Sequence, residues 1–416
     1  MLKKLVARLG AYSIGVVVTL LVGLFSVPAL IHLVGPQTWA GLAIVQSVAA
    51  LVAVAVGLGW PATGPSWVAS LQPEERPQYF LRSIYARAAV ALLAAPIGAG
   101  AAVALTDLPP AVAIVGTVAY SASALGGSWY FIGEARPARL LLTETLPRAV
   151  GILLGLAGVA ITGRLEAFVI TLLLCSVAGI AAAYAVILKA HGPMQTKPSW
   201  ACLFDSIRSQ KHGLMTTGTA AVYVNSPMLI AGMILTNGLA EFAIAYRMFG
   251  YLVAGFQPFV QFAQGWIPET GPLHTPTRAK TAARFALLAS LFVALLTAGL
   301  LPLGASILSV STISLPWAIA IPIGLCTGAV TVSQVVGLAC LPPLNGQAFL
   351  ARSTIVGALV GAVLLAILGW ALGAPGLALA MTGSETLVST LQLTWLRGLL
   401  RRRSVSRSTH ESESSP

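Results

Sequence analysis

Hydrophobic positions in this chain run in long unbroken blocks, and each block ends at a small cluster of Gly, Pro or charged residues. They neither alternate as in a half-buried strand nor recur every three to four residues as on a surface helix. Crossing ~30 Å of hydrocarbon takes ~20 apolar residues per helix, and inside a bilayer only helices or closed barrels satisfy their own backbone. Continuous runs therefore predict membrane-spanning helices. Cutting at the polar and Pro/Gly breaks places about twelve of them, near 11–34, 38–60, 84–105, 109–132, 140–161, 167–188, 213–235, 239–263, 284–304, 315–340, 353–372 and 376–396.

Composition agrees with that pattern. Of the 416 residues 57% are hydrophobic and only 9% charged, where a soluble chain carries about 25%. The net charge of +12 would point to nucleic acid in a soluble domain, but here its distribution decides the meaning. Loops after even-numbered spans carry the Lys and Arg residues: Arg76 and Arg82; Arg136 and Arg139; Lys189, Lys197, Arg208 and Lys211; Arg278, Lys280 and Arg284; Arg352. Both chain ends are basic too, whereas Arg164 stands alone on the opposite side. The positive-inside rule then predicts a multi-pass protein of the cytoplasmic (inner) membrane with both termini cytoplasmic, touching membrane lipid and no nucleic acid.

The charged loops also divide the chain. Residues 1–189 form an amino-terminal lobe of six spans and 213–396 a second one, joined by 190–212. In that joint Trp200, Leu203, Phe204 and Ile207 fall at i, i+3, i+4 and i+7 with Asp205, Arg208 and Lys211 opposite, which predicts an amphipathic helix in the cytoplasmic interface. Residues 397–416 are basic, Ser-rich and without periodicity, so a disordered cytoplasmic tail is expected. "VPALI" at Val27 to Ile31 against "SPMLI" at Ser226 to Ile230, and "AGLAI" at Ala40 against "AEFAI" at Ala240, hint at a parallel six-plus-six repeat. Pro28 and Pro227 are then equivalent kink positions.

Catalytic chemistry has little to work with. The outer loops are short, offering Asp107 and Glu166 but no spaced carboxylate pair, and there is no Walker A loop, HExxH or GxSxG. Cys175, Cys202, Cys326 and Cys340 form no CxxC and gather no His or carboxylate, so neither a metal nor a cofactor is expected. What remains is transport rather than an enzyme.

One polar island interrupts the apolar pattern: "WYFIGEARPAR" from Trp129 to Arg139, running into "LLLTETLPR". Trp129, Phe131, Gly133, Glu134 and Arg148 resemble the signature of bacterial polysaccharide and O-antigen flippases at the end of span four and the start of span five. Ile132 stands where that family has Gln, and Glu134 follows Gly133 directly. "LVGPQTWAGLAIVQSVAALVAVAVGLGW" and "ILTNGLAEFAIAYRMFGYLVAGFQPFVQFAQGWIP" are similar to the family's first and seventh turns with the helices that follow. The resemblance covers most of the chain and implies a member of the multidrug/oligosaccharidyl-lipid/polysaccharide exporter superfamily: an all-α integral membrane protein, about twelve helices in two six-helix lobes around a central cavity. It implies alternating access and a polyprenyl-diphosphate-linked glycan as substrate, with a polysaccharide polymerase or glycosyltransferases as partners. A small-molecule or drug antiporter of the same architecture is the alternative.

A charge at mid-bilayer costs ~2.5–3.5 kcal/mol on insertion scales, so those that persist are candidates for the substrate path. They are Arg247 in span eight, Glu385 in span twelve, Arg148 with Glu144 one turn before it in span five, and Arg87 in span three. Arg247 and Glu385 have two readings, a phosphate or sugar contact or an ion pair that only locks helices. Arg148 can pair with Glu144 at i, i+4, and Arg87 can snorkel to the headgroups. Trp129, Gly133, Glu134, Arg136 and Arg139 are candidates for a cytoplasmic gate or loop, Gly133 as a flexible point beside a local ion pair and Trp129 and Tyr130 as interfacial belt residues.

Overall fold

The computed structural model describes residues 2–191, 205–208, 210–268 and 273–413, and every regular element among them is helical. The α-helices are α1 (Leu2–Val34), α2 (Pro36–Gly57), α3 (Trp60–Ser70), α4 (Arg76–Leu105), α5 (Pro110–Ser121), α6 (Ser128–Gly133), α7 (Pro137–Leu140), α8 (Leu146–Thr162) and α9 (Leu165–His191). They continue as α10 (Lys211–Ile234), α11 (Leu239–Trp266), α12 (Thr275–Leu308), α13 (Trp317–Gln334), α14 (Gln347–Leu372) and α15 (Ala374–Glu413).

Ten helical segments among the described residues are long and apolar enough to cross a membrane, and they coincide with ten of the expected spans. The other two expected spans fall on α10, apolar only over Ala221–Ile234, and on α15. In α15 the polar groups are turned inward: Ser384, Ser389 and Gln392 are buried, with Ser384 Oγ donating to the Gly357 carbonyl at 2.8 Å and Gln392 Nε2 to Ser353 Oγ at 3.2 Å. Protein rather than lipid solvates them, which low hydropathy alone does not reveal. The helix α15 continues to Glu413, through the residues where a tail is expected.

The chain divides into two compact units, residues 1–232 with 308–310 and residues 233–307 with 311–416. In the first, α2 packs between α4 and α5, α5 lies on α9, and α9 on α8. In the second, α15 packs on both α14 and α13, and α13 on α11. The central members are α2 and α13, with 61% and 72% of their apolar windows buried, against 17% for α4 and 22% for α14. The outer helices show residues such as Leu92, Ile161 and Trp370 on their surfaces. Large apolar side chains outside and a dense centre suit lipid as the solvent.

Of the inter-lobe joint, 192–204, with Trp200, Leu203 and Phe204, lie outside the described residues. Its end at 205–208 is helical, exposing Asp205 and Arg208. Ile207 packs instead on the first unit's aromatic cluster, and buried Gln210 accepts a 2.8 Å hydrogen bond from Thr63 Oγ1.

Among the described residues several spans leave regular α-helix near one end, span five at the π turn Leu141–Thr145 between α7 and α8. Span two bends at Leu58 (φ 57°) and Gly59 (φ 129°) before α3. Span four passes from α5 through a 3₁₀ turn, Ala122–Leu125, into α6. Span ten leaves α13 by a π turn, Val335–Cys340, and a 3₁₀ turn, Pro342–Leu344. Irregular backbone at membrane depth must find partners in protein or water, so these breaks are where polar side chains should collect.

Candidate functional site: the break in span four and the intramembrane charges

Where span four breaks, the 3₁₀ turn that follows α5 ends with carbonyls unpaired and α6 begins with amides unpaired. Arg87 of α4 answers the first group. It is 1% exposed; Nη1 donates to the carbonyls of Ala124 at 2.9 Å and Gly126 at 2.8 Å, Nε to the Ser83 carbonyl at 3.2 Å, and Nη2 to Ser83 Oγ at 3.1 Å. The hydroxyl of Tyr184, on α9, donates to the Leu125 carbonyl at 2.7 Å. Glu144 answers the second group, its carboxylate lying against the amides of Gly127 and Ser128 and the Ser128 hydroxyl. A cation thus sits at the carbonyl end of one half-helix and an anion at the amide end of the next, as their dipoles favour.

This corrects two expectations. Arg87 does not snorkel: its donors are used inside the protein, and its guanidinium lies 5.5 Å from the Trp129 ring centroid and 5.9 Å from that of Phe80. Glu144 is turned to the span-four break rather than to Arg148. It lies in a π turn, Leu141–Thr145, whose wider winding changes the facing of side chains, and Arg148 on α8 is exposed.

Trp129, Tyr130 and Phe131 are 2%, 0% and 0% exposed, so they are core and not an interfacial belt. Three consecutive residues spread over more than half a helix turn and are all buried only if protein surrounds the helix. Here α6 is wedged against α3, α4 and α9, with Phe80 at the centre of the cluster, 5.2 Å from Tyr130, 5.4 Å from Tyr184 and 5.8 Å from Trp129 between ring centroids. Glycines allow the wedge. A Cβ on Gly64 would meet Trp129 Cε3 at 2.3 Å, and one on Gly133 would meet the Pro65 carbonyl oxygen and Val68 Cβ, both at 2.7 Å. Gly133 is therefore a close-contact residue, and the left-handed position in this turn belongs to Ala135 (φ 54°). There the Arg136 amide bonds back to the Phe131 carbonyl at 2.9 Å, closing the helix end.

Past that turn Glu134 meets both arginines, 3.6 Å from Arg136 Nε and 3.6 Å from Arg139 Nη1. The carboxylate side chain is 5% exposed, and those of Arg136 and Arg139 are 51% and 32% exposed. The pair thus presents a positive face.

In the second unit Arg247 on α11 lies beside Tyr246 and Tyr251. Glu385 on α15 accepts from Ser333 Oγ at 3.3 Å and lies near Cys326 of α13, which is itself close to Tyr246. The two intramembrane charges, far apart in sequence, stand on helices that pack against each other and against α13. Sequence reading passed over Tyr184, Ser83, Tyr246 and Ser333. Only Ser83 carried a signal, standing one turn before Arg87.

No family model matches the sequence, and no curated protein matches it. Solved structures do. The lipid II flippase MurJ in an inward closed conformation aligns with a TM-score of 0.68 over 93% of this chain and 87% of its own, at 12% identity. An inward-facing multidrug resistance MATE family transporter of the MOP superfamily aligns with a TM-score of 0.56 over 99% of both chains, at 13% identity. A MOP superfamily transporter from Pyrococcus furiosus aligns at 0.53 over 96% of both, at 15% identity. At such identities the likeness speaks for the fold alone: this is a multi-pass, all-helical membrane protein whose fold is similar to those of the MurJ flippase and of MATE transporters.

Proposed function

We propose that the protein flips a polyprenyl-diphosphate-linked oligosaccharide across the cytoplasmic membrane by alternating access, for cell-surface polysaccharide biosynthesis. The observation that carries this reading is the sign of the exposed charge where spans four and five meet. Glu134 is turned inward while Arg136, Arg139 and Arg148 face outward. A diphosphate headgroup needs such a cationic entrance, and guanidinium stays charged at any working pH while gripping phosphate oxygens in bidentate fashion. The fold shared with a lipid II flippase supports the same substrate class. In this reading Arg148 meets the diphosphate near the cytoplasmic mouth and Arg247 draws it inward. Arg87 is left to its structural carbonyls.

The MATE likeness favours a second reading, export of a small molecule or drug. Deletion of the gene followed by mass spectrometry of polyprenyl-linked sugars separates the two, because only a flippase defect accumulates the lipid-linked glycan. Arg148→Ala and Arg247→Ala, expressed at normal levels, should accumulate it as well, with Arg247→Lys intermediate. Wild-type glycan export in both alanine variants would refute the cationic path.

A further inference from the structure

We propose that Arg87, Tyr184 and Glu144 form a latch that holds span four broken, and that through it α6 and the Glu134 loop are fixed to α3 as one part. Residues 110–133 are apolar enough to cross as one span and "YSASALGGSWYF" holds no proline, while Gly126, Gly127 and Ser128 make the helix easy to break at that point. The local sequence permits the break, and the backbone groups it frees depend on tertiary partners. Three elements supply them to one turn: α4 through Arg87, α9 through Tyr184, and the π turn before α8 through Glu144. Together they take the carbonyls of Ala124, Leu125 and Gly126 and face the amides of Gly127 and Ser128, leaving no gap in the run.

The two poles are unequal. Arg87 makes four hydrogen bonds, whereas Glu144 Oε1 is buried without a hydrogen-bond partner. Gly126 has no room for a side chain, as a Cβ there would lie 2.5 Å from that same oxygen. Beyond the latch, the Gly133 contact with α3 and the Trp129 contact over Gly64 tie α6 to its neighbour, so release at the break moves both together. The device is independent of which substrate is carried.

Hydrogen exchange on the full chain in lipid nanodiscs tests it, with Tyr184→Phe, Arg87→Lys and Arg87→Gln beside wild type. Deleting one hydrogen bond at the break should speed exchange of the 124–134 amides by about tenfold in Tyr184→Phe. Exchange should rise further in Arg87→Lys, which keeps the charge but loses the fork, and most in Arg87→Gln, with α13–α15 unchanged in all three. Unchanged 124–134 exchange in Tyr184→Phe and Arg87→Lys would overturn the latch. So would an equal rise across α4, α5 and α9, which would make the cluster a general support of the bundle. Tyr184→Phe removes a single hydroxyl, so the test survives if Arg87→Gln does not fold.

Discussion

Gly133→Ala is the substitution whose outcome follows most directly from the packing. Its backbone φ is not positive, so alanine is sterically allowed at the residue itself, and a flexible-loop glycine would tolerate the change or gain helix stability. The obstacle is α3. The new methyl would stand 2.7 Å from the Pro65 carbonyl oxygen and 2.7 Å from Val68 Cβ, against an ordinary contact of 3.4 Å or more, so α6 and α3 must part by about 0.7 Å. Neither obstacle can swing away, since one is helix backbone and the other a Cβ. Overpacking of this kind costs about 1–3 kcal/mol. Gly100→Ala is the matched control: it too is helical, a Cβ there meets nothing within 4 Å, and it should gain about 0.5–1 kcal/mol from helix propensity. Thermal midpoints in one detergent, read by fluorescence-detected size exclusion, should fall for Gly133→Ala and hold or rise for Gly100→Ala. A Gly133→Ala midpoint at or above wild type would refute the close-contact account of this turn.

Accessibility tags at Arg164 and Gly373 should report the outer side, and tags at Lys197 and Ser408 the cytoplasm; Lys197 and Gly373 on the same side would break the predicted topology. Ile207→Asp should lower the yield of folded protein, because Ile207 packs on the aromatic cluster of the first unit, where an unpaired carboxylate costs on the order of 1–3 kcal/mol or more. Wild-type yield and melting would show that the joint merely lies in the headgroups.

Span placement was legible because it rests on a local quantity, the length of uninterrupted apolar chain needed to cross hydrocarbon, and ten predicted spans recur in the structure on that ground. The same logic isolated the Trp129 to Arg139 island, since charged residues among so few charges stand out without any alignment. At α15 the polar-and-Gly/Pro breaks placed a span at 376–396 although Ser384 and Gln392, both buried, lower its hydropathy. Tertiary structure decided what each polar or aromatic residue does. Trp129 and Tyr130 look alike in sequence whether they ring a headgroup layer or fill a core, and only the wedge of α6 between α3, α4 and α9 distinguishes the two. Arg87 could equally have reached for lipid phosphates. Its partners are carbonyls 37 and 39 residues further along, exposed by a helix break that the local sequence does not require. Burial length is a property of one segment, whereas satisfying a backbone carbonyl in a membrane is a property of whichever helix happens to lie beside it.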